Sequence, residues 1–135
     1  MLFRSPRSFV STAAPLRTQS FEVSVAKAQA AGSATSMTVT ITNSYGTETT
    51  RNFTGIRLRD FLGVNAATLN RAASITAISR DGRTQTYYYN DIIFDKTLLA
   101  WVEDGEQLSY PRLCPGNSKL TGDYLKEVVS ITLKY

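Results

Sequence analysis

The chain has no histidine and only one cysteine among its 135 residues. Without imidazole there is no Ser-His-Asp or Cys-His nucleophile pair and no histidine general base. A single thiol makes no zinc site of the usual cysteine-rich kinds, no CxxC redox motif and no internal disulfide. Long apolar runs are missing as well: no window approaches the ~18 consecutive apolar residues of a membrane-spanning helix. An intact secretory signal is not read either, because Ser8 to Leu16 is too polar for its apolar core. What is present is 42% apolar residues, enough for one domain to bury a core without a disulfide or metal staple.

Positive charge is in modest excess, with 15 Lys+Arg against 11 Asp+Glu. Most of the excess sits early, where Arg4, Arg7, Arg17 and Lys27 face Glu22 alone. The rest of the chain is nearly neutral, so it offers no basic face of the kind that nucleic acid requires. Tyr87-Tyr88-Tyr89 with Arg80 and Arg83 is the one candidate, and a strand with alternate rings inside explains it better. No nucleic-acid partner and no transmembrane segment are expected.

Residues 1–19 mix proline, serine, threonine and arginine without periodicity and read as a disordered tail or linker. Leu2-Phe3-Arg4-Ser5 is also what a common sequencing adapter encodes in one frame, so a truncated or artefactual N-terminus is the second reading. Residues 20–135 read as a single domain. Phe21 to Val25 alternates like a strand, whereas Val25 to Ala31 can wind as a helix, and both stay open. Met37, Val39 and Ile41 alternate with Thr38, Thr40 and Thr42, the period of a half-buried strand. Asn43 to Gly46 is turn chemistry, Thr47–Thr54 returns, and Gly55 is expected to end the hairpin. Ile56 to Leu62 then reads as a helix with Leu58, Phe61 and Leu62 on one face, stopped at Gly63. A helical turn around Ala67–Asn70 and an Asn90-capped helix from Asp91 to Asp95 are expected further on. Ser74–Ser79 and Arg83–Tyr89 flank an Asp81-Gly82 turn, and Lys96–Glu103 forms an apolar strand before the Asp104-Gly105 turn. A short Tyr110–Leu113 strand and a closing Val128–Tyr135 strand complete the set. The fold class is α+β: mixed, mainly antiparallel β with short helices.

Cys114 is the sharpest single residue for chemistry, as a metal or redox thiolate or as core. It continues the apolar run Arg112-Leu113-Cys114-Pro115, and a free cysteine there reads as a small buried hydrophobe. Asp91, Asp95, Glu103, Asp104 and Glu106 read as solvated charges at a helix end and a hairpin tip. The segment Pro115 to Gly122 combines two glycines, hydroxyls and Lys119, the chemistry of a loop that holds an anion through backbone N–H groups, though without P-loop spacing.

In register, four stretches resemble the sulfite-oxidase-type molybdopterin-binding domain. Thr54-Gly55-Ile56-Arg57-Leu58-Arg59-Asp60-Phe61-Leu62 stands where that family has TGVPLxDLL, and Leu98-Leu99-Ala100-Trp101 where it has LLAY. Pro111-Arg112-Leu113-Cys114-Pro115-Gly116 resembles PxRLVVPG, and Leu125 to Leu133 resembles the closing VKWVxxIxV. The resemblance covers residues 37–135 and implies a truncated version of that fold. It also implies a cofactor-phosphate end formed by Arg112, Gly116, Asn117, Ser118, Lys119 and Lys126, which would hold a pterin phosphate, another anion, or nothing. Catalytic members ligate molybdenum through a cysteine in a CxGN-like segment before LLAY, and this chain has none there. Cys114 instead aligns with a core valine. No catalytic residue, no metal ligand and no resident cofactor are therefore expected, with molybdopterin admitted by resemblance only. Three functions follow: a non-catalytic module that binds a ligand or partner, such as a redox or surface protein encoded upstream; an oxidoreductase subunit holding a pterin; or a structural module of the cell surface, extracytoplasmic in setting, which the Thr/Ser-rich strands would suit.

Overall fold

A computed structural model describes residues 17–64, 73–88, 96–116 and 118–135. The expected turn at Ala67–Asn70, the helix at Asp91 to Asp95, and Asn117 lie outside the described residues. Eight strands are described, β1 (Thr18–Glu22), β2 (Thr35–Thr42), β3 (Glu48–Arg57), β4 (Ser74–Ser79), β5 (Thr84–Tyr88), β6 (Leu98–Glu103), β7 (Glu106–Cys114) and β8 (Val128–Lys134). Two short helices, α1 (Val25–Ala30) and α2 (Leu58–Leu62), accompany them. The strands form two four-stranded sheets, ordered β1-β8-β4-β5 and β2-β3-β6-β7, and every ladder within them is antiparallel. No described helix is long and apolar enough to cross a membrane.

Alternation explains the first sheet. Ile75, Ala77, Tyr87, Ile131 and Leu133 point inward, while Ser20, Thr132, Thr76 and Thr86 form one hydroxyl row across the outer face of all four strands. The second sheet is covered on both sides near β6, which accounts for four consecutive buried residues, Leu98 to Trp101. Leu99, Trp101 and Leu113 join the core between the sheets, together with Ala28 of α1 and Leu58 and Leu62 of α2. On the far side Ile41, Phe53, Leu98, Ala100 and Cys114 pack under Tyr124, which stacks on Phe53 at 6.0 Å between centroids.

Residues 20–31 hold both elements in turn: β1 ends at Glu22, and Ser24 caps α1 by accepting the Lys27 N–H. β1 begins at Thr18, paired with Lys134, so the ladder reaches two residues into the segment read as a tail.

Two boundaries differ from expectation. Gly55 does not end its strand, because β3 runs on to Arg57 and Ile56 is a strand residue. The glycine serves close approach instead: a Cβ there would lie 2.2 Å from the Leu99 carbonyl oxygen. Backbone contact that tight admits only hydrogen, and it accompanies a register shift in which Trp101 is an extra residue on β6. The strand expected at Tyr110–Leu113 is the end of the nine-residue β7. Its sequence hides this because Leu108 to Pro111 bulge away between the Val102–Gln107 and Ala100–Arg112 pairs, and Pro111 cannot donate to a ladder.

Turn chemistry behaves as expected. Gly46, Gly63, Gly82 and Gly105 have positive φ, and Asp104 joins Gly105 with φ of 51° in the β6–β7 turn. Asp81 accepts from the Ser79 hydroxyl and from the Arg83 backbone and guanidinium, which together hold its carboxyl down at about 2.

Candidate functional site

Arg112 faces inward. It is 3% exposed, and its Nη1 donates to Glu103 Oε1 at 2.9 Å while Nε donates to the Tyr124 carbonyl at 3.0 Å. Its guanidinium also lies 5.6 Å from the Phe53 ring centre and 6.0 Å from that of Tyr124. The residue ties β6, β7 and the β7–β8 connection together, with its charge already matched. Glu103 in turn faces Arg51 at 3.8 Å, and Arg51 donates to Asp104 at 2.9 Å. Asp104 accepts from the Asn52 N–H too, so backbone and guanidinium donors hold its carboxyl below the usual range. Glu103 and Asp104, expected to be solvated at this hairpin tip, are therefore paired and link β6 to β3, whereas Glu106 is exposed as expected. Asp91 and Asp95 lie outside the described residues.

The β7 bulge opens a cavity of about 270 Å³ that Arg112 shares with Lys126, Glu103, Glu127, Ser109 and Tyr110. Two cations meet two carboxylates there, and only Lys126 is an exposed cation. Gly116 instead borders a different opening. Ser118 donates to Asp123 Oδ2 at 2.5 Å and accepts from the Leu120 N–H, while the Lys119 carbonyl accepts from the Thr42 N–H at 2.7 Å. The residues grouped by sequence thus divide among three places, with Asn117 outside the described residues. The described ones do not fit a cofactor phosphate, because Arg112 is spent inside the fold and the Ser118 hydroxyl points at a carboxylate.

Cys114 is fully buried, and its Sγ donates to the Arg112 carbonyl at 3.6 Å. Burial pushes its thiol well above the ordinary range, opposed only partly by Arg112. A thiol without thiolate character is inert. Iodoacetamide is expected to leave Cys114 unmodified in the native protein and to label it fully in denaturant. Labelling of the native form at the rate of a free thiol would contradict this placement.

Tyr87 is buried, its hydroxyl donating to the Asp123 carbonyl at 2.5 Å, whereas Tyr88 is exposed on the opposite face. Arg83 pairs with Asp81 and Arg80 lies over Tyr110 at 5.1 Å, so these side chains do not gather around the tyrosines.

The opening that Gly116 borders is a groove of about 410 Å³ beside β2. Met37, Val39 and Leu98 supply apolar lining, Arg57 and Lys96 supply positive charge, and no carboxylate is among the described lining residues. β2 is an edge strand, and residues whose N–H points away from β3 are identified by Thr42, which donates outward to Lys119. By alternation Ser36, Thr38 and Thr40 also point their backbone N–H and C=O outward. Among the described residues only the Thr42 end of this edge is covered, by a parallel bridge to Leu120. Sequence reading did not pick out Arg57, Lys96 or this edge. The available signal was that residues 35–42 contain neither charge nor proline.

Comparison with protein-family models, curated proteins and solved structures finds no match for this chain.

Proposed function

We propose that the chain is a non-catalytic binding module, molybdopterin-oxidoreductase-like in its motifs, which engages a ligand or partner protein along the β2 groove. The observation that carries this reading is the β2 edge, uncovered before Thr42 among the described residues, lying against a groove with two cations and an apolar lining. The Arg112–Lys126 cavity is a weaker candidate because its charges are balanced within the protein. Burial of the one thiol supports the non-catalytic part, since it disfavours the thiolate that metal ligation and nucleophilic attack both require.

Expression in a host that makes molybdopterin, followed by gel filtration and assay of molybdenum and pterin, separates this reading from that of an oxidoreductase subunit. The expected result is that neither co-elutes with the protein. Retention of pterin in stoichiometric amount would replace the binding-module reading with the cofactor-holding one.

A further inference from the structure

We infer that the occupant of the β2 groove is an extended peptide segment, apolar in its middle and acidic at its end, which adds to the second sheet as a fifth strand. The inference rests on the reading of this groove as the binding site and names its partner chemistry.

The other edges of the two sheets carry protection of the usual kinds. β1 and β5 are five residues long, and β1 includes Glu22. β7 has its bulge and Pro111. β2 has none of these devices: it is eight residues long, pairs with β3 without a register shift, and contains no charge and no proline. Natural edge strands that long are blunted unless something is meant to pair with them. Strand addition draws affinity from backbone hydrogen bonds and specificity from pockets for alternate side chains.

Both components are in place. Ser36, Thr38 and Thr40 present outward donors and acceptors over the middle of β2. Lys119 and Leu120 block the edge at Thr42, which sets one limit on an incoming strand. Side chains of that strand on the groove face would meet Met37 and Val39, and on the other face a hydroxyl ladder in which Thr38 donates to Asn52 at 2.6 Å. Gly55 pairs with Thr35, so Arg57, two residues further along β3, stands beyond the far limit with Lys96. Arg57 is paired with Asp60 at 3.4 Å, and the exposed Lys96 keeps that end cationic among the described residues. An acidic residue is the complement.

The test uses two fluorescein-labelled peptides of about seven residues, the length of an ordinary strand. Both alternate valine with threonine, one flanked by glutamates and the other by lysines. Fluorescence anisotropy with the whole chain should show saturable binding of the glutamate peptide, weakened by added salt, and about tenfold weaker binding of the lysine peptide. Thr38→Pro removes an outward N–H that β3 does not use and should lower affinity for the glutamate peptide at least about tenfold. Circular dichroism establishes that this variant is folded. Lys96→Glu, on an exposed residue, supplies the second variant and should reverse the preference between the peptides. Equal binding of both peptides, or undiminished binding to a folded Thr38→Pro, would overturn the inference. Absence of peptide binding together with a dimer abolished by Thr38→Pro would also overturn it, making a second copy of the chain the occupant. Hydrogen exchange of the free protein reports separately on whether the edge is open, so failure of the occupant and failure of the groove are distinguishable.

Discussion

Arg112→Ala should destabilise the protein by about 3 kcal/mol, measured as a shift in the denaturant unfolding midpoint. That figure is the lower end of the cost of breaking a buried ion pair. It is not higher because Glu103 keeps Arg51 at 3.8 Å and retains some solvent. The loss has three sources: the Glu103 pair, the Tyr124 carbonyl left without the Arg112 donor, and the guanidinium removed from beside the Phe53 and Tyr124 rings. Lysine restores the charge but not the second hydrogen bond, so Arg112→Lys should cost about 1–2 kcal/mol. Replacing both partners, with Arg112→Met and Glu103→Leu together, should cost less than Arg112→Met alone, because no buried charge is stranded. A residue that merely held a solvent-exposed ligand would change stability by no more than about 0.5 kcal/mol when truncated. That outcome for Arg112→Ala would return Arg112 to the anion site implied by the family resemblance.

Trp101→Ala should be at least as costly, about 3–5 kcal/mol, the usual range for removing a large aromatic from a core. The ring is 7% exposed and belongs to the cluster between the two sheets. Its position as the extra residue of β6 adds a second effect, since Gly55 and the β7 bulge accommodate that residue on either side. Collapse of the resulting space would have to move three strands at once, so little relaxation is available. Thermal or denaturant unfolding measures this directly, and a cost under about 1 kcal/mol would show that the ring does not support the sheet interface.

Much of this architecture was legible in the residues. The Met37–Val39–Ile41 alternation, the Asp81-Gly82 and Asp104-Gly105 turns and the Gly63 stop of the helix all appear where local physics puts them, while the helix starts at Leu58 and not at Ile56. Such features depend on neighbours within a few positions. Gly55 was misread because a glycine in a β-branched run carries the same signature for a strand end and for close approach to another strand. Only the position of the Leu99 carbonyl distinguishes them. Only Tyr110–Leu113 of β7 was read as strand for a similar reason, since a bulge keeps a strand going while suspending its alternation.

The site was harder to read than the fold. Arg112, Gly116, Ser118, Lys119 and Lys126 are close in sequence, yet the chain turns at Gly116 and again through residues 121–123, which parts Gly116, Ser118 and Lys119 from the cavity that Arg112 and Lys126 share. Arg112 looked like a ligand cation because its partners, Glu103 on the preceding strand and the Tyr124 carbonyl, are set by the sheet register. The β2 groove was invisible for the converse reason. The lack of charge and proline in residues 35–42 fits a central strand as well as an open edge, and Arg57 and Lys96 come from distant segments.

The open β2 edge is tested most directly by amide hydrogen exchange of the free protein, read residue by residue by NMR. Met37, Val39 and Ile41, which pair with β3, should be protected, and Ser36, Thr38 and Thr40 should exchange at least about tenfold faster. Thr42, donating to Lys119, serves as the internal control and should be slow. That alternation is the expected result for an open edge. Uniform protection from Ser36 to Thr42 would show an edge already covered, and would contradict it.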